Sequence, residues 1–167
     1  MNIIKENKMK VQLSMPRLTR DDKFEKLILE ATQYFAKELM SVRMMNTIKI
    51  KIDVRKTTLG KNTEGQVINK CMGSVKQKEF RITLNYNRFD TDILKTLAHE
   101  MIHIQQIVSG RLQYRYWKSD HQLHARWEGE ELGVVSHIPY EQQPWEIEAF
   151  GKEYDLFKKY YFYGRTV

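Results

Sequence analysis

The chain has 167 residues, of which 41 % are hydrophobic and 29 % charged, and carries a net charge of +7. That length and balance can bury one core of ordinary size, and they exclude a fibrous or wholly disordered chain. A lone cysteine, Cys71, excludes an intrachain disulfide and fits a reducing cytoplasm, and no run approaches the roughly 20 apolar residues of a membrane-spanning helix.

Residues 1–18 are polar and basic and read as an N-terminal arm, ahead of a single domain over 19–167. Met1 to Arg20 holds no long apolar run, so neither a secretory leader nor an anchor is expected there. An amphipathic helix is predicted over 21–45, with Phe24, Leu27, Ile28, Ala31, Phe35 and Leu39 on one face and Met40, Met44 and Met45 filling core gaps near its end. Ile48, Ile50, Ile52 and Val54 alternate with Lys49, Lys51, Asp53 and Arg55, the pattern of a strand buried on one side. Thr57 to Gly65 reads as a turn, and Val67 to Val75 as a second strand interrupted at Gly73. Phe80, Ile82, Leu84 and Tyr86 then alternate with Arg81, Thr83 and Asn85 as a third strand. Its stretch Arg81 to Tyr86 is the candidate edge on which an extended peptide would pair.

The next helix carries the chemistry. Ile93, Leu94, Leu97, Ala98, Met101 and Ile102 follow the three-and-four spacing; Asp90 is placed to cap the helix, Asp92 lies in its first turn, and Gly110 supplies the stop. Within it stands His99-Glu100-Met101-Ile102-His103. Positions four apart on an α-helix differ by about 40°, so both imidazoles leave one face and can grip one metal ion. Glu100 leaves on the adjoining flank, where it can hydrogen-bond a water on that metal and act as a general base. A zinc site of this kind needs a third protein ligand and one open position.

Arg111 to Pro139 is rich in aromatic residues and histidine, including Tyr114, Tyr116, Trp117, His121, His124 and Trp127. It reads either as a specificity wall beside the site or as a small hairpin around Gly129 and Gly133 that packs its aromatics on the core. Beyond it, Pro144 suits the first turn of a last helix. On that helix Ala149, Phe150, Glu153, Leu156, Phe157 and Tyr160 define an inward stripe. Glu146 projects into the middle of the stripe and Glu148 away with Asp155, which makes Glu146 the preferred third ligand. His121 and His124 are the rivals for that place; their other readings are donors to a substrate or plain surface residues. Tyr140, His124 and Tyr114 are the candidates to stabilise a developing oxyanion. These elements compose an α+β domain with an N-terminal helix, a small sheet of three to four strands, a metal-binding helix and a C-terminal helix. The basic balance is compatible with a nucleic-acid or acidic-protein partner and equally with a merely solvated surface.

His-Glu-x-x-His at 99–103, followed some tens of residues later by Glu146-Ile147-Glu148-Ala149, resembles the gluzincin branch of the zincin metallopeptidases. The stretch Trp145 to Phe150 is also similar to the endings of small predicted metallopeptidases of bacteriophages and bacteria. The resemblance spans residues 80–160. It implies a compact zincin-like layout and hydrolysis of a protein or peptide substrate with one Zn²⁺ per chain. Its residues carry over as His99, His103 and Glu146 for the ligands and Glu100 for the general base; a phage-encoded chain would act in the host cytoplasm. Many gluzincins place Asp directly after the alanine, whereas Phe150 stands here, and Glu153 on the inward face is the candidate to supply the missing carboxylate behind a ligand. His-Glu-Met-Ile-His also resembles the SprT-like proteases, in which a third histidine follows the helix; His121 or His124 would serve, although the glycine-flanked histidine of those proteins is missing. Outside catalysis, the alternative is a nucleic-acid- or protein-binding module that keeps zinc behind four closed protein ligands, a site in which Glu100 has no task.

Overall fold

The computed structural model describes residues 9–15, 21–55, 65–69, 78–85 and 89–164. Its first element corrects the expectation of an arm over 1–18. Lys10–Ser14 form strand β1, which pairs in parallel with the next strand of the sheet, and Met9 is only 3 % exposed. The alternation of Val11 and Leu13 with polar neighbours is too short to stand out in a basic stretch, yet the pairing satisfies its backbone. Gln33 fastens the entry by donating to the Met9 carbonyl at 2.9 Å.

Helix α1 (Asp22–Leu39) starts at Asp21, whose carboxylate accepts the Lys23 amide, and buries Phe24, Ile28, Ala31, Thr32, Phe35 and Ala36. The predicted helix over 21–45 is not continuous. Met40 is extended (φ −133°, ψ 146°), and Ser41 then accepts the Met44 amide to cap a separate turn, α2 (Val42–Met45). Met40 and Met45 fill the core on either side of this break.

Strands β2 (Ile48–Arg55), β3 (Gly65–Asn69) and β4 (Lys78–Asn85) complete a four-stranded sheet in the order β1-β2-β4-β3, with β3 antiparallel to β4 and the other pairings parallel. The second strand predicted over Val67 to Val75 starts earlier, at Gly65, and is described as far as Asn69; its residues 70–75 lie outside the described residues, as do 57–64 of the expected turn and Tyr86. One face of the sheet presents Ile48, Ile50, Ile52, Val54, Phe80, Ile82 and Leu84, each at most 2 % exposed. Full burial of each such side chain contributes about 1.5–3 kcal/mol. The other face carries a charge ladder, with Lys51 Nζ 2.8 Å from Glu79 and Arg81 Nε 3.2 Å from Asp53. Because β4 has a partner on both sides, Arg81 to Asn85 is not the free edge expected for peptide pairing. The chain places β3 outside β4, and register on the apolar face holds β4 inside.

Helix α3 (Asp90–Val108) packs with α1 in the core over the apolar face. Its cap is Phe89, without a side-chain bond; Asp90 is already helical and acts only through its charge in the first turn, beside Asp92. Gly110, at φ +78°, ends the helix as expected: it donates to the Ile107 carbonyl in a left-handed conformation that a side chain would oppose. An antiparallel sheet follows, β5 (Leu112–Trp117), β6 (Gln122–Trp127) and β7 (Glu130–Val134), in that order. Tyr114 and Trp127 pack with Leu112, Ala125 and Trp145 in a second small core, whereas Tyr116 and Trp117 are exposed. The expected hairpin is therefore a three-stranded meander that buries only part of its aromatics. Helix α4 (Pro144–Lys159), with Pro144 in its first turn, returns against α3 and continues into a π-helical turn over Tyr160–Gly164. Among the described residues no helix is long and apolar enough to cross a membrane.

Candidate metal centre

The centre lies where α3 and α4 pack. Ala149 is fully buried in that packing, and its small side chain lets the helices approach. Across the same seam Gln106 Nε2 donates to the Trp145 carbonyl at 3.0 Å, which ties the first turn of α4 to the last turn of α3. Glu146, in that first turn, is thereby brought over the face of α3 that bears His99 and His103. The three side chains are 8–9 % exposed, and their ligand atoms all lie within 4.8 Å of one another.

Each imidazole is oriented from behind. His99 Nδ1 lies 2.7 Å from Glu153 Oε2, and since a carboxylate only accepts, Nδ1 carries the proton. His103 Nδ1 lies 2.9 Å from Gln106 Oε1; the amide nitrogen of Gln106 is committed to Trp145, so its oxygen faces the ring and the proton is again on Nδ1. Both Nε2 atoms therefore point inward, 3.0 Å apart, with Glu146 Oε2 3.2 Å from that of His99 and Oε1 3.3 Å from that of His103. Two imidazole nitrogens and a carboxylate converge on one small buried volume, an arrangement that demands positive charge at its centre.

The electrostatics of the neighbours express the same demand. Burial alone would lower the His99 pKa, but hydrogen bonds to Glu146 and Glu153 and the charge of Glu100 raise it to about 9. Burial would raise the Glu146 carboxyl, yet its bonds with His103 and His99, together with the Tyr140 hydroxyl, hold it well below the usual carboxylate range. Glu100 is buried, and its charge acts on both His99 and the Tyr140 phenol. Tyr140 donates to Glu146 Oε2 at 2.7 Å; its own pKa is raised by burial and by that carboxylate. A nitrogen, nitrogen and carboxylate set of this kind suits a divalent first-row ion. The group can hold a metal ion.

The other candidates are placed elsewhere. His124 Nε2 donates to Asp120 at 2.7 Å and its ring stacks on Trp117 at 4.1 Å, while His121, at φ +55° in the β5–β6 turn, faces the Tyr116 hydroxyl at 3.3 Å. Neither joins the His99, His103 and Glu146 group, because the hairpin engages them with its own side chains. Tyr114 packs edge-on to Trp145 at 5.9 Å, and burial followed by the charge of Glu146 raises its pKa. Glu148 turns to the opposite flank of α4, where Arg111 donates to both of its oxygens and Lys152 Nζ lies 2.7 Å away.

Two contacts were not anticipated. Gln106 orients His103 from three residues further along α3; the signal is present in the spacing, since i and i+3 are neighbours on a helix and a ligating histidine needs a partner for its second nitrogen. Phe150, expected in the inward stripe, is 53 % exposed and sets its ring 4.8 Å from that of His99. Glu153 takes the place behind His99 that Phe150 cannot fill. No protein-family model, curated protein or solved structure matches the chain.

Proposed function

We propose that this protein is a zinc-dependent metallopeptidase, a gluzincin-like hydrolase of peptide bonds with His99, His103 and Glu146 as ligands. The observation that carries the reading is the convergence of both Nε2 atoms and the Glu146 carboxylate, each imidazole locked by an Nδ1 partner, with Glu100 between the two histidines in sequence. Three ligands leave one position open, as catalytic zinc requires and structural zinc does not. Zn²⁺, when bound, supplies Lewis acidity that lowers the pKa of its water towards neutrality and polarises the scissile carbonyl. With the metal held there, Glu100, whose carboxylate is buried, would be the group that accepts the proton of the attacking water and returns it to the leaving amine. Tyr140, whose hydroxyl now donates to Glu146, would release that bond to donate instead to the negative charge that develops on the attacked carbonyl oxygen. Glu153 and Gln106 hold the two rings in register throughout.

The test is metal content by mass spectrometry followed by a peptide-cleavage screen. About one Zn²⁺ per chain and cleavage abolished in Glu100→Gln, with metal and fold retained, are the expected results. A protein that takes up no metal, or a Glu100→Gln variant that cuts as well as the parent, overturns the reading. A zinc-bearing binding module would retain its metal and leave every peptide intact.

A further inference from the structure

The metal group is flanked on one side by aromatic rings. The Phe150 ring lies 4.8 Å from the ring of His99 and 6.0 Å, edge-on, from the ring of Tyr140, whose hydroxyl in turn holds Glu146. Phe150 and Tyr140 therefore touch two of the three ligands, and both remain about half exposed, at 53 % and 52 %. A helix turning by about 100° per residue places Phe150 about 40° and Ile147 about 100° round α4 from Glu146, on one flank. Ile147 is 57 % exposed. The opposite flank is the charged one, with Glu148 bound to Arg111 and Lys152. Large apolar side chains usually cover themselves; here two aromatic rings stay open to water against a group that binds a metal.

From this we infer that Phe150, with Tyr140 and Ile147, is an apolar subsite on the α4 flank of the metal centre. It selects substrates that carry a large apolar or aromatic side chain next to the bond cleaved. The inference rests on the peptidase reading for its substrate class. A group seated on the metal from this side runs its neighbouring side chain over the Phe150 ring, and covering that ring removes apolar surface from water on both partners. A charged side chain in the same place loses hydration and finds no hydrogen-bond partner on Phe150 or Ile147.

The probes are the hydroxamates of glycine, aspartate, lysine and phenylalanine, whose common head binds zinc and whose side chains differ. Their affinities for the zinc-loaded protein are measured by calorimetry, alongside cleavage of a peptide library. The phenylalanine compound is expected to bind at least about tenfold more tightly than the other three, with Phe150→Ala removing most of that margin and Phe150→Leu restoring part of it. Zinc content and melting temperature of each variant establish that the centre is intact. Equal affinities across the series, or a preference unchanged in Phe150→Ala, overturn the subsite. Apolar preference without any peptide cleavage keeps the subsite and removes the peptidase reading; cleavage indifferent to the flanking side chain does the reverse.

Discussion

Glu146 and Glu148 stand two residues apart on one helix and have opposite tasks, because about 200° of turn separates them. Glu146→Ala is expected to weaken zinc binding by at least roughly 100-fold, while Glu148→Ala leaves it nearly unchanged; titration against a competing chelator measures both. Equal losses would show that Glu146 is no ligand. Glu148 acts instead on stability. The Arg111 guanidinium first, and then Lys152, hold its carboxyl at about 2 against an ordinary 4.5 despite some burial. A depressed folded-state value means that the contribution is present above about pH 4.5 and is lost as the pH falls from there towards 2. With Arg111 about a third exposed, solvent screening limits it to about 1 kcal/mol. Chemical denaturation of Glu148→Gln at pH 7 and pH 3 tests this: the deficit relative to the parent should shrink at the lower pH. Glu153→Gln replaces the acceptor behind His99 by a weaker one, and a 10- to 100-fold loss of zinc affinity with the fold intact is expected from the same titration.

The pairing of α3 with α4 is the element-scale device on which the centre depends. Its seam needs a small residue at Ala149 and the bridge from Gln106 to the Trp145 carbonyl. Ala149→Leu overfills a fully buried position, which typically costs about 1–3 kcal/mol, and moves Glu146 relative to the two histidines. Thermal unfolding should drop and zinc affinity should fall with it. A variant that melts earlier but binds zinc as tightly as the parent would show that the seam does not position Glu146. The meander over β5 to β7 is tied to this pair by Arg111, which lies over the Trp127 ring and bonds both Glu128 and Glu148. It joins the site's scaffold while keeping His121 and His124 for its own turn.

In the whole molecule, a four-stranded sheet shares its apolar face with α1 and α3, and the metal group lies on the far side of α3, where α4 covers it. Strand β1 closes the outer edge of β2, so removing residues 1–14 would uncover both that edge and the core beneath Met9. The shortened chain should melt earlier and associate, measured by calorimetry and light scattering. A truncated protein as stable and monodisperse as the full chain would return residues 1–14 to the arm first expected.

Local pattern alone determined most elements. The alternation from Ile48 to Val54, the three-and-four spacing from Ile93 to Ile102, Gly110 as a stop and Pro144 as a start each act through a few neighbouring residues, so the chain displays them directly. The pairing of His99 with His103 was legible for the same reason, since one helical turn relates them. Where the partners lie far apart in the chain, packing decides. That Lys10–Ser14 is a strand follows from β2 lying beside it, and that β4 is interior follows from β3 folding outside it. Helical projection places Phe150 on the inward stripe, yet the middle of α4's inner face is occupied by Ala149, Glu146 and Glu153, which leaves the ring at the rim. Helical projection ranked Glu146 above Glu148, but only the approach of α4 to α3 brings Glu146 to the two imidazoles. A ligand set contributed by two helices is a property of how they pack, and no local stretch of sequence contains it.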